Sequence, residues 1–152
     1  MREILFRGKT PIQDEHFDDG EWVEGFYTRF NGKEHRIYSG YAETDCGDYY
    51  PDWFNVRPET VGQYTGLTDK NGKRIFEWDI IRTLAPCSID KYIEGAVMFG
   101  EYSTSYQSSN VGYYVNWSLN KNLAVYCKIN DIEIIGNIHD NPELLEANDE
   151  KG

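Results

Sequence analysis

The sequence predicts a mainly β protein, built as a barrel or a sandwich, with one short helix at its C-terminal end. Three observations carry this. Apolar and polar residues alternate over short runs, which is the period of a half-buried strand. Turn signals recur between those runs, among them Asn31-Gly32 and Asn71-Gly72. Helical signals appear only near the end of the chain.

The elements follow in order. Residues 3–7 read as a first strand, with Ile4 and Phe6 alternating with polar neighbours. Residues 10–20 are a polar, acidic connector. Residues 21–30 are rich in Trp, Val, Phe and Tyr and suit a strand. Asn31-Gly32 tolerates two positive φ angles and predicts a hairpin, with residues 35–41 as the return strand. Residues 44–51 carry Asp45, Gly47 and Asp48 and read as a turn region. Residues 64–67 lead into the second Asn-Gly turn. The run 74–84 holds Ile75, Phe76, Trp78, Ile80 and Ile81. Residues 89–100 contain Ala96-Val97-Met98-Phe99, and the serine-rich stretch 103–110 reads as a mobile loop. Residues 111–117 and 123–129 are further strands joined through Asn120-Lys121-Asn122, and 132–138 is the last. Asn141 is then a good N-cap, Pro142 fits the first helical position and Glu143 suits the positive end of the dipole. Leu144 and Leu145 give this helix an apolar side to dock.

The 152 residues carry 26 acidic and 15 basic side chains, for a net charge of −11. With 12 Tyr, 7 Phe and 4 Trp, the chain is too aromatic for a disordered acidic tail. The acidic excess argues against a binder of phosphate backbones, which needs a basic face. The charge is unevenly placed. Residues 1–60 hold 7 basic and 13 acidic side chains, 61–131 hold 7 of each, and 132–152 hold 1 and 6. A balanced middle lies between two acidic ends.

No apolar run approaches the ~20 residues of a membrane-spanning helix, and the first residues do not resemble a secretory leader. Cys46, Cys87 and Cys127 are odd in number and widely spaced, so the sequence predicts small buried thiols in a reducing cytoplasm rather than disulfides or a zinc site.

The stretch Val56-Arg57-Pro58-Glu59-Thr60-Val61 runs into GQYTGLTDKNGKRIFEWDII at residues 62–81. This string resembles the YopX family of phage and prophage proteins. Flanking pieces also fit: ILFRGK at 4–9, GEWVEG at 20–25 and IEIIGNIHDNPELLE at 132–146. The resemblance implies a small C-terminal barrel of the SH3 type with an N-terminal β extension. The expected organisation is an acidic β module at 1–60, the barrel at 61–140, and a short helix with an acidic tail at 141–152. The resemblance also implies phage or prophage origin and expression in a bacterial cytoplasm, and it implies no reaction. One position departs from the family string, which has Gly where this chain has Trp78. A Trp there suits only an ordinary backbone, because Gly serves positive φ or close packing.

Candidate binding positions are Tyr64, Asp69, Lys70, Trp78 and Asp79. On a continuous strand over 74–81, Glu77 and Asp79 would share a face and offer a carboxylate pair for acid–base or metal chemistry. The commoner role for Asp69 and Asp79 is to accept backbone amides in turns. Lys70, Lys73 and Arg74 form a small basic cluster at a hairpin tip, which is more often solvated than bound to phosphate. The acidic pairs Asp14-Glu15 and Asp18-Asp19 lack the spacing of a calcium loop. His16, His35 and His139 lie far apart, and no nucleophile elbow, phosphate loop or dinucleotide fingerprint occurs.

The expectation is therefore a non-enzymatic protein-interaction or self-assembling module, with no catalytic or metal-binding residues assigned and no cofactor. The tyrosines and tryptophans suit a protein partner or a homo-oligomer. No membrane role is expected, and nucleic acid is disfavoured as a partner. Two alternatives are an acidic regulator or counter-defence protein that imitates nucleic acid, and a hydrolase using Asp69, Glu77 and Asp79.

Overall fold

A computed structural model describes residues 3–11, 20–85, 89–103, 109–117 and 131–146. The strands are β1 Phe6–Lys9, β2 Trp22–Phe30, β3 Glu34–Glu43, β4 Tyr49–Asn55, β5 Gly62–Thr68, β6 Arg74–Phe76, β7 Asp79–Leu84, β8 Tyr92–Ser103, β9 Ser109–Trp117 and β10 Glu133–Asn137. A 3-10 turn spans Pro58–Thr60, and the helix α1 is one turn, Glu143–Glu146. The chain is mainly β, as its alternating pattern predicts. The expected strand at 123–129 and its turn lie outside the described residues.

The chain divides into two units, Met1–Tyr64 and Thr65–Gly152. In the first, β4, β3, β2 and β1 lie side by side, all antiparallel, and the first residues of β5 pair with β1. Asn31 and Gly32 adopt φ of 50° and 67°, so the β2–β3 hairpin closes as its sequence predicts. Lys33 N–H reaches the Phe30 carbonyl across it at 3.1 Å. The next turn ends early. Thr44 binds Asp48 through both backbone and hydroxyl, and β4 starts at Tyr49 and runs through Pro51. Pro is tolerated there because β4 stands at the end of the strand order. The inner side of this sheet packs through Ile37, which is fully buried, and Val56.

The second unit is built on a four-stranded antiparallel sheet in the order β10-β7-β8-β9. Its core is Ile75, Ile81, Ile93, Val97 and Ile132, with Ala85, Val115 and Ile134 against it. Each buried Ile or Val contributes about 1.5–3 kcal/mol of transfer free energy.

Several local expectations change. The first strand lies two to three residues later than predicted. The run 74–84 is two strands, β6 and β7, broken at Glu77-Trp78. Cys46 is exposed in the β3–β4 turn rather than buried, because none of the described residues covers that turn; Cys87 and Cys127 lie outside the described residues. Asn141 precedes α1, and its carboxamide oxygen accepts the Asn137 N–H at 3.4 Å. The absence of a side chain at Gly136 allows this, since a Cβ there would stand 2.7 Å from that oxygen.

Candidate functional site

Asp69 opens the turn between β5 and β6. Its Oδ1 accepts the N–H groups of Asn71 at 2.8 Å and Lys73 at 2.9 Å, and its Oδ2 accepts the Ile134 N–H at 3.3 Å. The side chain thus closes its own turn and ties that turn to β10. Asp69 is only 6% exposed. Burial pushes its carboxyl up, but the amides of Lys73, Ile134 and Asn71 outweigh burial and hold it below the usual carboxylate range.

Asp79 is 1% exposed at the start of β7, and its Oδ2 accepts the Phe76 N–H at 2.8 Å. It bridges the break between β6 and β7. The break removes the shared strand face predicted for Glu77 and Asp79: Asp79 is buried and Glu77 is half-buried in the turn. Trp78 sits between them with φ of 72°, so its backbone is not ordinary. Two backbone hydrogen bonds hold it there, from its N–H to Val97 O at 2.9 Å and from Ile138 N–H to its own carbonyl at 3.0 Å. Its half-buried indole meets the His139 ring edge-on at 6.3 Å between centroids.

Lys70 points to Glu133, with Nζ 2.7 Å from Oε2. Arg82 reaches the same oxygen at 2.9 Å. Hydrogen bonds from Lys70 and Arg82 hold the Glu133 carboxyl below its ordinary value, and the bond to Glu133 raises the Arg82 guanidinium. The predicted basic cluster is therefore split: Lys70 is committed to β10, while Lys73 and Arg74 are exposed. Tyr64 is buried in β5, where its N–H donates to Leu5 O at 2.8 Å. Among the described residues, no group of three or more His, Cys, Asp or Glu side chains could hold a metal ion.

A depression of about 420 Å³ lies on β8 and β9 and is lined by none of the five candidates. Tyr102 and Tyr114 stack beside it at 5.5 Å between centroids.

A different constellation, which includes none of the five candidate positions, lies on one side of the first unit's sheet. Register pairs Phe26 with Tyr38 and Tyr38 with Trp53, then Tyr41 with Pro51 and Glu43 with Tyr49 beyond the bulge at residues 38–40. Strand alternation puts Phe26, Phe30, Tyr38, Tyr41, Tyr49 and Trp53 on one face. Phe26 is 70% exposed, Tyr41 76% and Tyr49 69%. Arg36 lies on the same face, its guanidinium carbon 3.9 Å from the Phe30 ring centre and 3.8 Å from that of Trp53. Glu34 pairs with that guanidinium. The available signal was the four-residue spacing of Phe26 and Phe30 in β2 and of Tyr49 and Trp53 in β4, which marks a face but not whether it is covered.

Fold and site define a two-unit, mainly β protein whose candidate carboxylates cap turns and whose exposed chemistry is aromatic. The chain belongs to the YopX protein family, whose pattern matches residues 15–146. The crystal structure of protein EF1440 from Enterococcus faecalis is similar in fold, with a TM-score of 0.57 at 22% identity, covering 95% of this chain and 99% of that one. Among curated proteins, none matches significantly. No described helix is long and apolar enough to cross a membrane.

Proposed function

We propose that this YopX-family chain is a non-enzymatic module that binds a protein. The observation that carries the reading is the contrast between its carboxylates and its aromatics. Asp69 and Asp79 spend oxygens on backbone amides, which is fold maintenance. The rings of β2, β3 and β4 stand exposed, and exposed aromatic clusters of this kind are typical of protein contacts. The test is capture with the full chain from a lysate of the bacterium that encodes it, alongside light scattering. The expected result is a partner retained in fixed ratio, or a particle heavier than the 17.7 kDa chain. A strict monomer that retains nothing would refute the reading.

A further inference from the structure

We propose that the aromatic face of β2, β3 and β4 is the docking surface, and that its partner is an arginine-bearing, basic protein segment. The inference rests on the protein-binding reading above and specifies its surface and chemistry.

Charge selects the partner. Residues 38–53 contain four carboxylates, Glu43, Asp45, Asp48 and Asp52, and no Lys or Arg. The same residues contain five aromatic rings. Carboxylates around exposed rings attract cations and repel phosphates, so nucleic acid does not fit. Asp52 lies on the other face with Ser39, but a second copy would still bring Glu43 and the turn acids Asp45 and Asp48 against their counterparts, so self-association through this face is opposed by like charge.

The surface itself shows what it takes. Arg36 lies between Phe30 and Trp53 with both rings within 4 Å of its guanidinium carbon, and a carboxylate, Glu34, completes the site. Two rings and one acid thus hold one guanidinium at the base of the face. Farther along, Tyr49 lies opposite Glu43 and Tyr41 stands two residues before it on the same face, with no Lys or Arg among residues 38–53. The same chemistry is repeated there with the guanidinium left to be supplied from outside. Arginine fits better than lysine because its planar, weakly hydrated cation stacks on rings.

The probe is a short peptide of alternating arginine and glycine, with lysine–glycine and glutamate–glycine peptides as controls, titrated into the full chain by NMR. The arginine peptide should shift the amides of residues 38–53, bind more tightly than the lysine peptide and weaken with added salt. The glutamate peptide should not bind. The double variant Tyr41→Ser/Tyr49→Ser changes two exposed side chains and should lower affinity by about fivefold or more while leaving the amide spectrum elsewhere unchanged. Three substitutions, Glu43→Gln, Asp45→Asn and Asp48→Asn, should weaken binding and flatten its salt dependence.

The proposal is overturned if the arginine peptide does not bind, if it shifts the acidic C-terminal residues instead of 38–53, or if the tyrosine variant binds as well as the parent. It is also overturned if the parent chain dimerises and the tyrosine variant does not, which would make the occupant a second copy. If the variant still captures the parent's partner from lysate, the module reading survives and this surface is wrong. If the parent captures nothing and stays monomeric, the module reading itself fails.

Discussion

Replacing Trp78 by Ala and by Gly separates two opposing contributions at the β6–β7 break. A bulky residue at φ 72° costs roughly 1–2 kcal/mol, because its Cβ crowds the following carbonyl. The surroundings impose that angle through the bonds to Val97 and Ile138 and through the Asp79 clamp on Phe76. The indole offsets the cost through its own partial burial and its contact with His139. A fully buried Trp truncated to Ala loses about 3–5 kcal/mol, so the half-buried Trp78 loses about 2. Ala keeps the unfavourable φ, and Trp78→Ala should therefore destabilise by about 2 kcal/mol. Gly loses the same ring but regains about 1 kcal/mol at positive φ, so Trp78→Gly should cost only about 1. The assay is urea unfolding of both variants beside the parent, with unchanged slopes as the check that only stability moved. In melting temperature the Gly variant should exceed the Ala variant by about 2–4 °C. If Ala equals or exceeds Gly, the backbone at 78 is not held in the left-handed region and the reasoning fails.

Asp69 should give the second unit an acid-sensitive stability. Its folded carboxyl lies below the unfolded value of about 3.9, so its contribution is complete above that value and is lost as pH falls through the lower folded one. Urea titrations from about pH 6 to about pH 2 should show this loss, and Asp69→Asn should show less of it. Asp69→Ala leaves three amides without their acceptor and should cost about 2–4 kcal/mol at neutral pH by the same titration. Gly25→Ala would put a Cβ 1.9 Å from the Tyr38 carbonyl oxygen, and should cost about 2 kcal/mol or more, read as lost chemical-shift dispersion in β2 and β3. Cys46 should react with a maleimide in native buffer, and Cys46→Ser should leave stability within about 0.5 kcal/mol.

The parts of the fold legible in the sequence are those decided by local chemistry. Asn31-Gly32 forms its hairpin because both residues accept positive φ without help from elsewhere. Asp69 caps its own turn because the N–H groups that donate to it lie two and four residues on. The break at Trp78 was not legible, because the angle is set by partners at Val97 and Ile138, far along the chain. Propensity favoured one continuous strand over 74–84, and tertiary hydrogen bonding won. The same reason explains the missed aromatic face. Alternation says that Phe26, Tyr38 and Trp53 share a side of a sheet, but only the register and the packing of Ile37 on the other side show which side is covered. Charge gains meaning by the same step. In the sequence, the acidic excess of residues 1–60 is a property of a block. In the structure, four of its carboxylates fall on or beside strands whose rings are exposed, while Asp69 and Asp79 from the balanced middle are spent inside it. On the docking proposal above, the acids that would select a basic partner are Glu43 and the turn residues Asp45 and Asp48, whereas Asp69 and Asp79 in the string that marks the family accept backbone amides.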